Sequence, residues 1–273
     1  MSKAALTFIG GGNMASSLIG GLLDKGYPPT AITVCDPVPA AREQLNARFG
    51  IHATDDNLAA AQTAQVVVLA VKPQIMQSVA RALQPALIHK PLVISIAAGI
   101  GIETLQGWLG PQVPIVRCMP NTPALVQTGA SGLYATTLVS APQRQLADTI
   151  LGAVGCVCWL QSEDEIDAVT ALSGSGPAYF FLVMEAMTRA AIDLGLNPEV
   201  ARQLTLQTAL GSARMALASD VDSTELRRRV TSPGGTTERA IAHLQNGGLE
   251  KLFADAITAA YRRAREMAEE AKN

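Results

Sequence analysis

The stretch Ala5-Leu6-Thr7-Phe8-Ile9-Gly10-Gly11-Gly12-Asn13-Met14-Ala15 decides the fold of this chain. Its first five residues form an apolar, β-prone run, and the rest follows the pattern G-x-G-x-x-A that opens a helix. In this pattern Gly10 allows a tight turn, Gly12 lets a pyrophosphate approach the backbone, and Ala15 keeps the helix close to the strand. Strand, glycine loop and helix in this order predict a dinucleotide site. The predicted cofactor contacts in the loop are Gly10, Gly11, Gly12, Asn13 and Met14.

An acidic residue follows the next predicted strand, which covers residues 32–35 and leads into Asp36. A carboxylate at this place accepts hydrogen bonds from the ribose hydroxyls of NADH and repels the 2′-phosphate of NADPH. The first arginine after it, Arg42, lies a turn or more into the next helix. However, the helix that starts after Pro37 offers N–H groups to a phosphate, and Asp36 could simply cap that helix. Asp36 and Pro37 are predicted cofactor contacts, and the choice between NADH and NADPH stays open.

Short β-prone runs alternate with helix-length amphipathic segments up to about residue 160. Runs that are apolar on both faces and separated by helices indicate a parallel sheet covered on each side. An extra strand around residues 131–136 is expected near the sheet edge. The other predicted strands are residues 5–10, 32–36, 66–71, 92–97, 115–118 and 156–160.

From about residue 163 onward the β-prone runs stop and only helix-length segments remain. A small-residue segment, Ser173-Gly174-Ser175-Gly176-Pro177, predicts a break with Ser175 as the N-cap of the next helix. We therefore predict an α/β fold: a Rossmann-like doubly wound domain over residues 1–161 and an all-helical dimerisation domain over residues 162–273. The predicted helices of the second domain are residues 175–194, 198–218, 223–230, 234–246 and 249–271.

The composition limits the possible functions. The 273 residues are 48% hydrophobic but only 4% aromatic, so the core must consist of aliphatic side chains and alanine. A mean hydropathy of +0.22 suggests further apolar surface buried between subunits. A net charge of −2 without a basic tract argues against nucleic acid as a partner. Strand candidates such as residues 66–71 are too short to span a membrane, and residues 1–9 lack a secretory layout, so we expect a cytoplasmic protein.

The cysteines and histidines do not indicate a metal site. Cys35, Cys118, Cys156 and Cys158 all fall in apolar strand-like runs, and none belongs to a CxxC motif. The chain has only three histidines. No metal is therefore expected, and the cysteines are predicted to be reduced thiols of the core.

Three loops at the carboxyl ends of predicted strands contain further candidates, since ligands of open α/β sheets bind there. Residues 97–99 present almost no side chain, as expected where a nicotinamide or its ribose lies against the backbone. Lys72 could reach a ligand or be an ordinary exposed lysine, Asn121 has an amide that both donates and accepts, and Asn57 is a candidate helix cap as well as an adenine contact. The predicted cofactor contacts here are Asn57, Ala70, Val71, Lys72, Pro73, Ala97, Ala98 and Gly99, and the predicted substrate contacts are Met119 and Asn121.

A second glycine segment, Thr231-Ser232-Pro233-Gly234-Gly235-Thr236-Thr237, opens a predicted helix near the C-terminus. Adjacent glycines let the backbone approach a ligand closely, and a helix N-terminus supplies unpaired N–H groups and the positive end of a dipole. The segment is therefore suited to a carboxylate or a phosphate. Taken alone, it is better explained as a helix cap after a glycine turn.

Six segments together make the chain resemble the pyrroline-5-carboxylate reductase family over essentially its whole length. They are residues 10–15, Ala70-Val71-Lys72-Pro73, Ser95-Ile96-Ala97-Ala98-Gly99, and residues 119–123, 173–179 and 232–237. The resemblance implies reduction of the cyclic imine 1-pyrroline-5-carboxylate to L-proline by NADPH or NADH. It also implies an interlocked homodimer through the C-terminal helices, with an active site shared between subunits, and further assembly into a decamer.

The same resemblance assigns roles to residues near the substrate. Thr237 would hydrogen-bond the ring nitrogen, and Glu163 lies where the family places an acid near the substrate. Hydride transfer to an imine needs a positioned donor and a protonated nitrogen, but neither a nucleophile nor a metal. Thr237 is therefore predicted as a polarising donor. The residues predicted to bind the substrate carboxylate are Ser232, Gly234, Gly235, Thr236 and Thr237.

Two alternatives come from different classes of protein. The β-hydroxyacid dehydrogenases have a similar two-domain plan, with the pattern G-x-G-x-x-x-K, whose lysine acts as general acid. Here the lysine position is Phe180, so carbonyl reduction would lack its proton donor. A catalytically silent nucleotide-binding regulator is the other alternative, but a sensor does not need a carboxylate-binding loop at residues 232–237.

Overall fold

The computed structural model describes residues 3–271 of the chain, which form two compact units. The first unit runs to Ser175 and takes in the chain again from Ala260, whereas the second is Gly176–Ala259. The units thus divide the chain later than residue 161. The predicted domain ranges of 1–161 and 162–273 remain predictions.

One eight-stranded sheet forms the centre of the first unit. Its strands are β1 (Leu6–Ile9), β2 (Ile32–Cys35), β3 (His52–Thr54), β4 (Val66–Leu69), β5 (Leu92–Ser95), β6 (Ile115–Met119), β7 (Gly129–Ala135) and β8 (Gly155–Trp159). They lie in the order β3-β2-β1-β4-β5-β6-β7-β8, and all neighbours are parallel except β6 and β7. The predicted α/β class with a Rossmann-like sheet is confirmed, and the sheet is mixed because β7 returns antiparallel to β6.

The strand order places β1 at the point where the chain reverses its winding direction. β1 pairs with β2 on one side and with β4 on the other, with Ile9 level with Cys35 and Leu69. Ligands of doubly wound sheets bind beyond the carboxyl ends of the strands at this point. The residues that follow the three strands, Gly10, Asp36 and Ala70, therefore lie side by side at that edge.

The strand predictions agree with the structure, with one omission. The extra strand expected around residues 131–136 is β7, the second strand from the edge. The strand β3, at the opposite edge of the sheet from β8, was not predicted, because it has three residues and no apolar run. A strand that short is recognisable only from its pairing with β2.

Seven helices of the first unit cover the sheet. They are α1 (Asn13–Asp24), α2 (Pro39–Phe49), α3 (Asn57–Gln62), α4 (Pro73–Leu83), α5 (Ile102–Leu109), α6 (Ala141–Leu151) and α7 (Glu165–Val169). Proline in the first turn of α2, α4 and α6 has its φ angle already set for a helix. Two apolar clusters result: one around Phe8, Leu18 and Ile94, the other around Ile9 and Met76.

The cysteine prediction is half wrong. Cys35 and Cys118 are buried as expected, but Cys156 and Cys158 are exposed. Both exposed thiols lie on β8, which is an edge strand paired only with β7. Their side chains share one face of β8, whereas the residues that alternate with them, Val157 and Trp159, pack against the core. An apolar run thus does not guarantee burial on an edge strand.

The second unit is all helical, as predicted. Its helices are α8 (Gly176–Asp193), α9 (Pro198–Leu217), α10 (Ser223–Arg229), α11 (Thr236–Asn246) and the first half of α12 (Leu249–Glu270). All five lie within two residues of their predicted bounds. Caps explain this agreement: Asn197 accepts from the backbone at the start of α9, and Asp222 does the same for α10.

The helices of the second unit bury almost nothing within their own chain. Between residues 176 and 259, only Gly176, Ala201 and Thr205 are buried. Large apolar side chains such as Phe181 are exposed instead. One continuous helical stretch, Glu165–Asp193, is long and apolar enough by length and composition to cross a membrane. An apolar helix that packs against another subunit has the same composition.

The predicted N-cap at Ser175 is wrong. Residues Thr170–Gly174 form a π-helical turn, and Ser175 follows with helical angles of φ −83° and ψ −20° instead of the extended angles of a cap. The chain therefore continues from α7 into α8 without leaving the helix. A π turn takes up an extra residue within a helix and often marks a functional region.

Candidate functional site

The three glycines of the 10–12 loop have different surroundings. A Cβ on Gly10 would lie 2.8 Å from the Ala70 carbonyl oxygen, and φ of Gly10 is +100°, which disfavours any other residue. A Cβ on Gly11 would lie 2.6 Å from Leu45 Cδ1. A Cβ on Gly12 would meet nothing within 4 Å. Gly10 is thus required by the fold, whereas a side chain at Gly11 would displace only the end of the Leu45 side chain. At Gly12 the space is open for a ligand.

The N-terminus of α1 is adjacent to this open space. Its N-cap is Gly12, no side chain caps the first-turn N–H groups, and the first turn contains no acidic residue. Unpaired N–H groups and the positive end of the helix dipole attract an anion. The arrangement fits a dinucleotide pyrophosphate, with Asn13 and Met14 in the first turn. A groove of about 360 Å³ also begins at Gly11 and Asn13 and continues along α1.

The Asp36 carboxylate joins the glycine loop to the end of β2. Its Oδ2 accepts from the Gly11 N–H at 3.0 Å, and its Oδ1 accepts from the Val38 N–H at 2.9 Å. Asp36 therefore does help to begin α2, but it also faces the dinucleotide loop. Each carboxylate oxygen has further lone pairs for a ribose hydroxyl. Pro37 follows it and is exposed.

Arg42 lies closer to this point than its place in α2 suggested. Its Nη1 donates to the Asp36 carbonyl oxygen at 2.8 Å, and its Nη2 is 3.2 Å from Asp55 Oδ2. The end of β2 thus has two carboxylates and one guanidinium. The local charge remains negative, which agrees with a site for a ribose without a 2′-phosphate.

The loops after β4 and β5 begin next to the glycine loop. The Ala70 N–H donates to the Ile9 carbonyl oxygen at 2.8 Å, and the Ile96 N–H donates to that of Leu69 at 3.2 Å, which extends the sheet into the loops. Val71 is half-buried, Lys72 is exposed, and α4 begins at Pro73. The structure brings these predicted residues to the same edge as Gly10.

The 97–99 segment is packed on one side by the C-terminal end of α12. Ala97 is buried and Ala98 half-buried. Gly99 has a φ of +74°, and a Cβ there would lie 3.3 Å from Met267 Cβ. The positive φ and the close approach of Met267 therefore favour glycine at position 99.

The helix cap assigned to Asn57 is wrong. The N-cap of α3 is Asp56, whose Oδ1 accepts from the Ala59 N–H at 2.9 Å. Asn57 is the first residue inside the helix and is half-buried. Asp56 and Asn57 are adjacent and both can cap a helix, so the sequence alone does not decide between them. The backbone angles of Asp56 make it the cap.

The Asn121 amide is used inside the protein. Its Nδ2 donates to the Ser173 carbonyl oxygen at 3.0 Å, and its Oδ1 accepts from the Ala130 N–H at 2.8 Å. Met119 packs on the same π turn, because a Cβ on Gly174 would lie 2.6 Å from Met119 Cε. The Asn121 amide was predicted as a substrate contact because it can both donate and accept. In the structure it does both, but the two bonds hold the loop that contains Asn121.

The Glu163 carboxylate is likewise engaged within the first unit. Its Oε1 accepts from Arg117 Nη1 at 2.7 Å and from the Ile102 N–H, at the start of α5, at 2.8 Å. Asp167 Oδ1 lies 3.8 Å from Arg117 Nη2. Burial raises the pKa of Asp167, while Arg117 and then Arg265 oppose the shift.

Arg117 is the residue that reasoning from sequence missed. It is 5% exposed and lies in β6 among Val116 and Cys118, which are buried as well. A signal was present, since a charged residue in a run that is otherwise apolar needs a counter-ion when buried. Glu163 and Asp167 are spaced i, i+4, but no pattern in the sequence connects them to β6.

The 232–237 loop of the second unit leads into the start of α11, whose first turn contains the acidic residue Glu238. Gly234 has a φ of +71°, and its N–H donates to Glu238 Oε2 at 2.7 Å. α11 begins at Thr236 after the N-cap Gly235, without a side-chain cap. Within residues 3–271 the Thr237 hydroxyl has no hydrogen-bond partner, and the neighbouring Ser232 is exposed. The loop thus binds a carboxylate oxygen of its own chain and leaves a hydroxyl free.

No metal centre is evident in the described part of the chain. Residues 3–271 contain no group of three His, Cys, Asp or Glu side chains that could hold an ion.

Two family models match this chain. Residues 163–267 match the model described as pyrroline-5-carboxylate reductase dimerisation, and residues 5–99 match the one described as NADP oxidoreductase, coenzyme F420-dependent. A pyrroline-5-carboxylate reductase of Pseudomonas aeruginosa is 55% identical over 270 residues, which make up 99% of this chain and 99% of that protein.

Solved structures of similar proteins agree. A pyrroline-5-carboxylate reductase from Coxiella burnetii matches with a TM-score of 0.95 and 48% identity, over 97% of this chain and 98% of that chain. The crystal structure of Plasmodium falciparum pyrroline carboxylate reductase with NADP bound matches with a TM-score of 0.86 and 29% identity, over 98% of this chain and 99% of that chain.

Proposed function

This chain belongs to the pyrroline-5-carboxylate reductase family, and we infer that it reduces 1-pyrroline-5-carboxylate to L-proline with NAD(P)H, the last step of proline biosynthesis. The observation that carries this function is the 232–237 loop, which leads into the uncapped start of α11 and has a Thr237 hydroxyl without a hydrogen-bond partner within residues 3–271. Many dinucleotide enzymes contain a loop such as 10–15. A second loop suited to a carboxylate selects substrates that have one.

The residues of the first unit fit NAD(P)H. The open space at Gly12 and the uncapped start of α1 suit the pyrophosphate, and Asp36 suits a ribose. Residues 70–73 and 97–99, at the same edge of the sheet, are proposed to contact the nicotinamide half. NAD(P)H supplies the hydride, so the protein itself needs to bind, orient and exclude water.

The second unit supplies the proposed substrate contacts. Ser232 and residues 234–237 are proposed to hold the carboxylate. The N–H groups left for it are those of Thr236 and Thr237, because Gly234 donates to Glu238 and Gly235 to the Ser232 carbonyl oxygen. The Thr237 hydroxyl would hydrogen-bond the ring nitrogen. The iminium can form in solution near neutral pH, so Thr237 has only to orient and polarise the C=N bond. Met119, Asn121 and Glu163 remain predicted substrate contacts, and the bonds of Asn121 and Glu163 within the protein favour supporting roles.

The assembly and location follow from the family as proposals. Residues 163–267 match a dimerisation model, and the exposed apolar side chains of the second unit support a homodimer through these helices. A decamer and a cytoplasmic location are proposed with it. Neither alternative class has support of its own: the lysine position of β-hydroxyacid dehydrogenases is Phe180, and a sensor has no use for the 232–237 loop.

The direct test is turnover and product inhibition. Nicotinamide absorbance should fall when 1-pyrroline-5-carboxylate is added, and no reaction should occur in reverse with a 3-hydroxy acid. Proline should inhibit, whereas pyrrolidine, which lacks the carboxylate, should bind far more weakly. Equal inhibition by proline and pyrrolidine would exclude the 232–237 loop as a carboxylate site.

Thr237→Val keeps the shape of the side chain and removes the hydroxyl. A hydrogen bond to a charged group is worth about 1.5–3 kcal/mol, so kcat/KM should fall by roughly one to two orders of magnitude. NADH affinity, measured by calorimetry on the same protein, serves as the control and should not change. Full activity of Thr237→Val would leave the loop without a role at the ring nitrogen.

A further inference from the structure

A buried cation lies in the sheet of the first unit, next to the start of α5. The Arg117 guanidinium contacts Glu163 at 2.7 Å and lies 3.8 Å from Asp167. Removing such a charge from water is unfavourable unless partners compensate for it, so the two carboxylates are strongly constrained. Arg117 thereby fixes the segment that contains Glu163 and α7 against β6.

Glu163 transmits this constraint to the backbone. The oxygen that accepts from Arg117 also accepts from the Ile102 N–H, and it lies 3.4 Å from where a Cβ on Gly101 would be. Ile102 begins α5, which directly follows the 97–101 loop. At its other end the loop continues from β5, which is paired with β6. Both ends of this short loop are therefore fixed relative to Arg117.

Two buried polar atoms on the neighbouring strands β5 and β6 have no hydrogen-bond partner among the described residues. Ser95, the last residue of β5, is level with Arg117 across the strand pair. Both residues are buried, and neither Ser95 Oγ nor Arg117 Nε has a hydrogen-bond partner in the part of the chain that the structure describes. Buried polar atoms without partners are rare in native proteins, and departures from good packing concentrate at functional sites.

We propose that Arg117 is a positioning residue of the reductase reaction: through Glu163 it fixes the 97–101 loop, against which the nicotinamide half of NAD(P)H lies. The inference rests on the proposed function for the role of the loop. It makes Glu163 a support of the cofactor site instead of a substrate contact. Neither side chain needs to touch the reacting atoms.

The test compares the affinity of a Glu163 variant for NADH with its affinity for ADP, which is the adenine half of the cofactor. Glu163→Ala removes the oxygen shared by Arg117 and Ile102, while Asp167 remains as a counter-ion in the fold. A displacement of about 1 Å in a positioning element costs up to about a hundredfold, so kcat should fall by roughly ten- to hundredfold. NADH affinity by calorimetry should fall with it. The affinity for ADP, which lacks the nicotinamide and its ribose, should not change.

The matched control is Asp164→Ala, which removes the adjacent carboxylate. Asp164 is exposed and its side chain makes no capping bond, so kcat and both affinities should stay as in the unmodified protein. Arg117→Lys keeps the charge, but an ammonium group cannot reproduce the planar fork, so its effect should be intermediate. If Glu163→Ala fails to fold, Glu163→Gln gives the same comparison, because it retains an acceptor and weakens the bond to Arg117.

The outcomes separate the two claims. The role of Arg117 is overturned if folded Glu163→Ala loses affinity for NADH and for ADP equally. It is also overturned if that variant loses neither NADH affinity nor kcat. A purely structural role would lower only the melting temperature and leave the ratio of the two affinities constant. An unmodified protein that binds NADH but does not reduce 1-pyrroline-5-carboxylate overturns the proposed function, and the NADH-to-ADP ratio still tests the loop.

Discussion

The two units of this chain treat their apolar side chains in opposite ways. In the first unit, all four residues of β1, of β4 and of β5 are buried, and helices cover both faces of the sheet. In the second unit three residues are buried, and Phe180, Phe181 and Leu182 are 64–67% exposed in a row. The first unit completes its core within one chain, whereas the second needs apolar partners from another.

The difference indicates that the first unit binds the cofactor, whereas the stability of the second unit depends on association. A unit with its own core can hold a cofactor in a fixed geometry, because its loops are anchored at strand ends. A unit whose core is completed by association is stable only at concentrations where association occurs. Binding of the dinucleotide and assembly of the oligomer should therefore respond to different substitutions.

The largest expected effect is a charge on the exposed apolar surface of the second unit. Phe181→Asp removes a side chain worth about 1.5–3 kcal/mol when buried, and in a symmetric dimer the change occurs twice. A buried unpaired carboxylate costs several kcal/mol more. We expect loss of the dimer in light scattering and loss of the native helical signal on dilution.

Ile88→Asp provides the matched control in the first unit. Ile88 is 83% exposed, more than Phe181, but it lies in the unit that has its own buried core. It should change neither association nor folding. A folded, active monomer of Phe181→Asp would break the comparison between the units.

The second effect in size is loss of cofactor binding in Gly12→Val. The new side chain would occupy open space, so folding should be unaffected, but the pyrophosphate would be excluded. Losing two charge-assisted hydrogen bonds at about 1.5–3 kcal/mol each corresponds to roughly 10²- to 10⁴-fold in affinity for NADH by calorimetry. The state of association should be unchanged, which sharpens the division between the units.

Gly107→Val makes the same chemical change elsewhere in the first unit. Gly107 is an exposed residue of α5 with nothing within 4 Å of an added Cβ. It should leave NADH affinity as it is. Undiminished affinity in Gly12→Val would remove the dinucleotide assignment from this loop.

A smaller effect is expected for Asp36→Ser. Removing one carboxylate from a partly solvated site should shift the preference toward NADPH by about one to a few kcal/mol, because the repulsion of the 2′-phosphate is lost and Arg42 remains nearby. The measurement is the ratio of kcat/KM for NADPH and NADH. Asp220→Ser, an exposed acid of the second unit, should leave that ratio unchanged. A constant ratio in Asp36→Ser would restrict Asp36 to holding Gly11 and Val38.

The smallest effect concerns the edge of the first unit. Cys156 and Cys158 on β8 should react with a thiol reagent at pH 8, whereas Cys35 and Cys118 should react only after unfolding. Burial, with a contribution from Asp56 and then Asp55, raises the pKa of Cys35 to about 12, so at pH 8 it remains a neutral, unreactive thiol. Burial raises the pKa of Cys118 as well. Cys156→Ser and Cys158→Ser should each remove one fast-reacting thiol, and four slow thiols would mean that the edge of the sheet is covered.

Local patterns were sufficient for most of the elements. Apolar runs located seven strands, and asparagine, aspartate, glycine and proline located the helix ends of the second unit to within two residues. They failed where the deciding contact is not local. The strand β3 exists because of β2, and the cap of α3 is Asp56 and not Asn57 because of the backbone angles.

The sequence by itself determined the fold class, the family and the two glycine loops, because each of these depends on residues that are neighbours along the chain. Only the tertiary structure decided which loop glycine faces open space and which polar groups meet. Arg117 and Glu163 are 46 positions apart, and Gly11 and Asp36 are 25 apart. Gly11 and Asp36 meet because the parallel strands β1 and β2 end at one edge of the sheet, whereas Arg117 and Glu163 meet because the segment after β8 packs against β6. No periodicity along the chain records either distance in space.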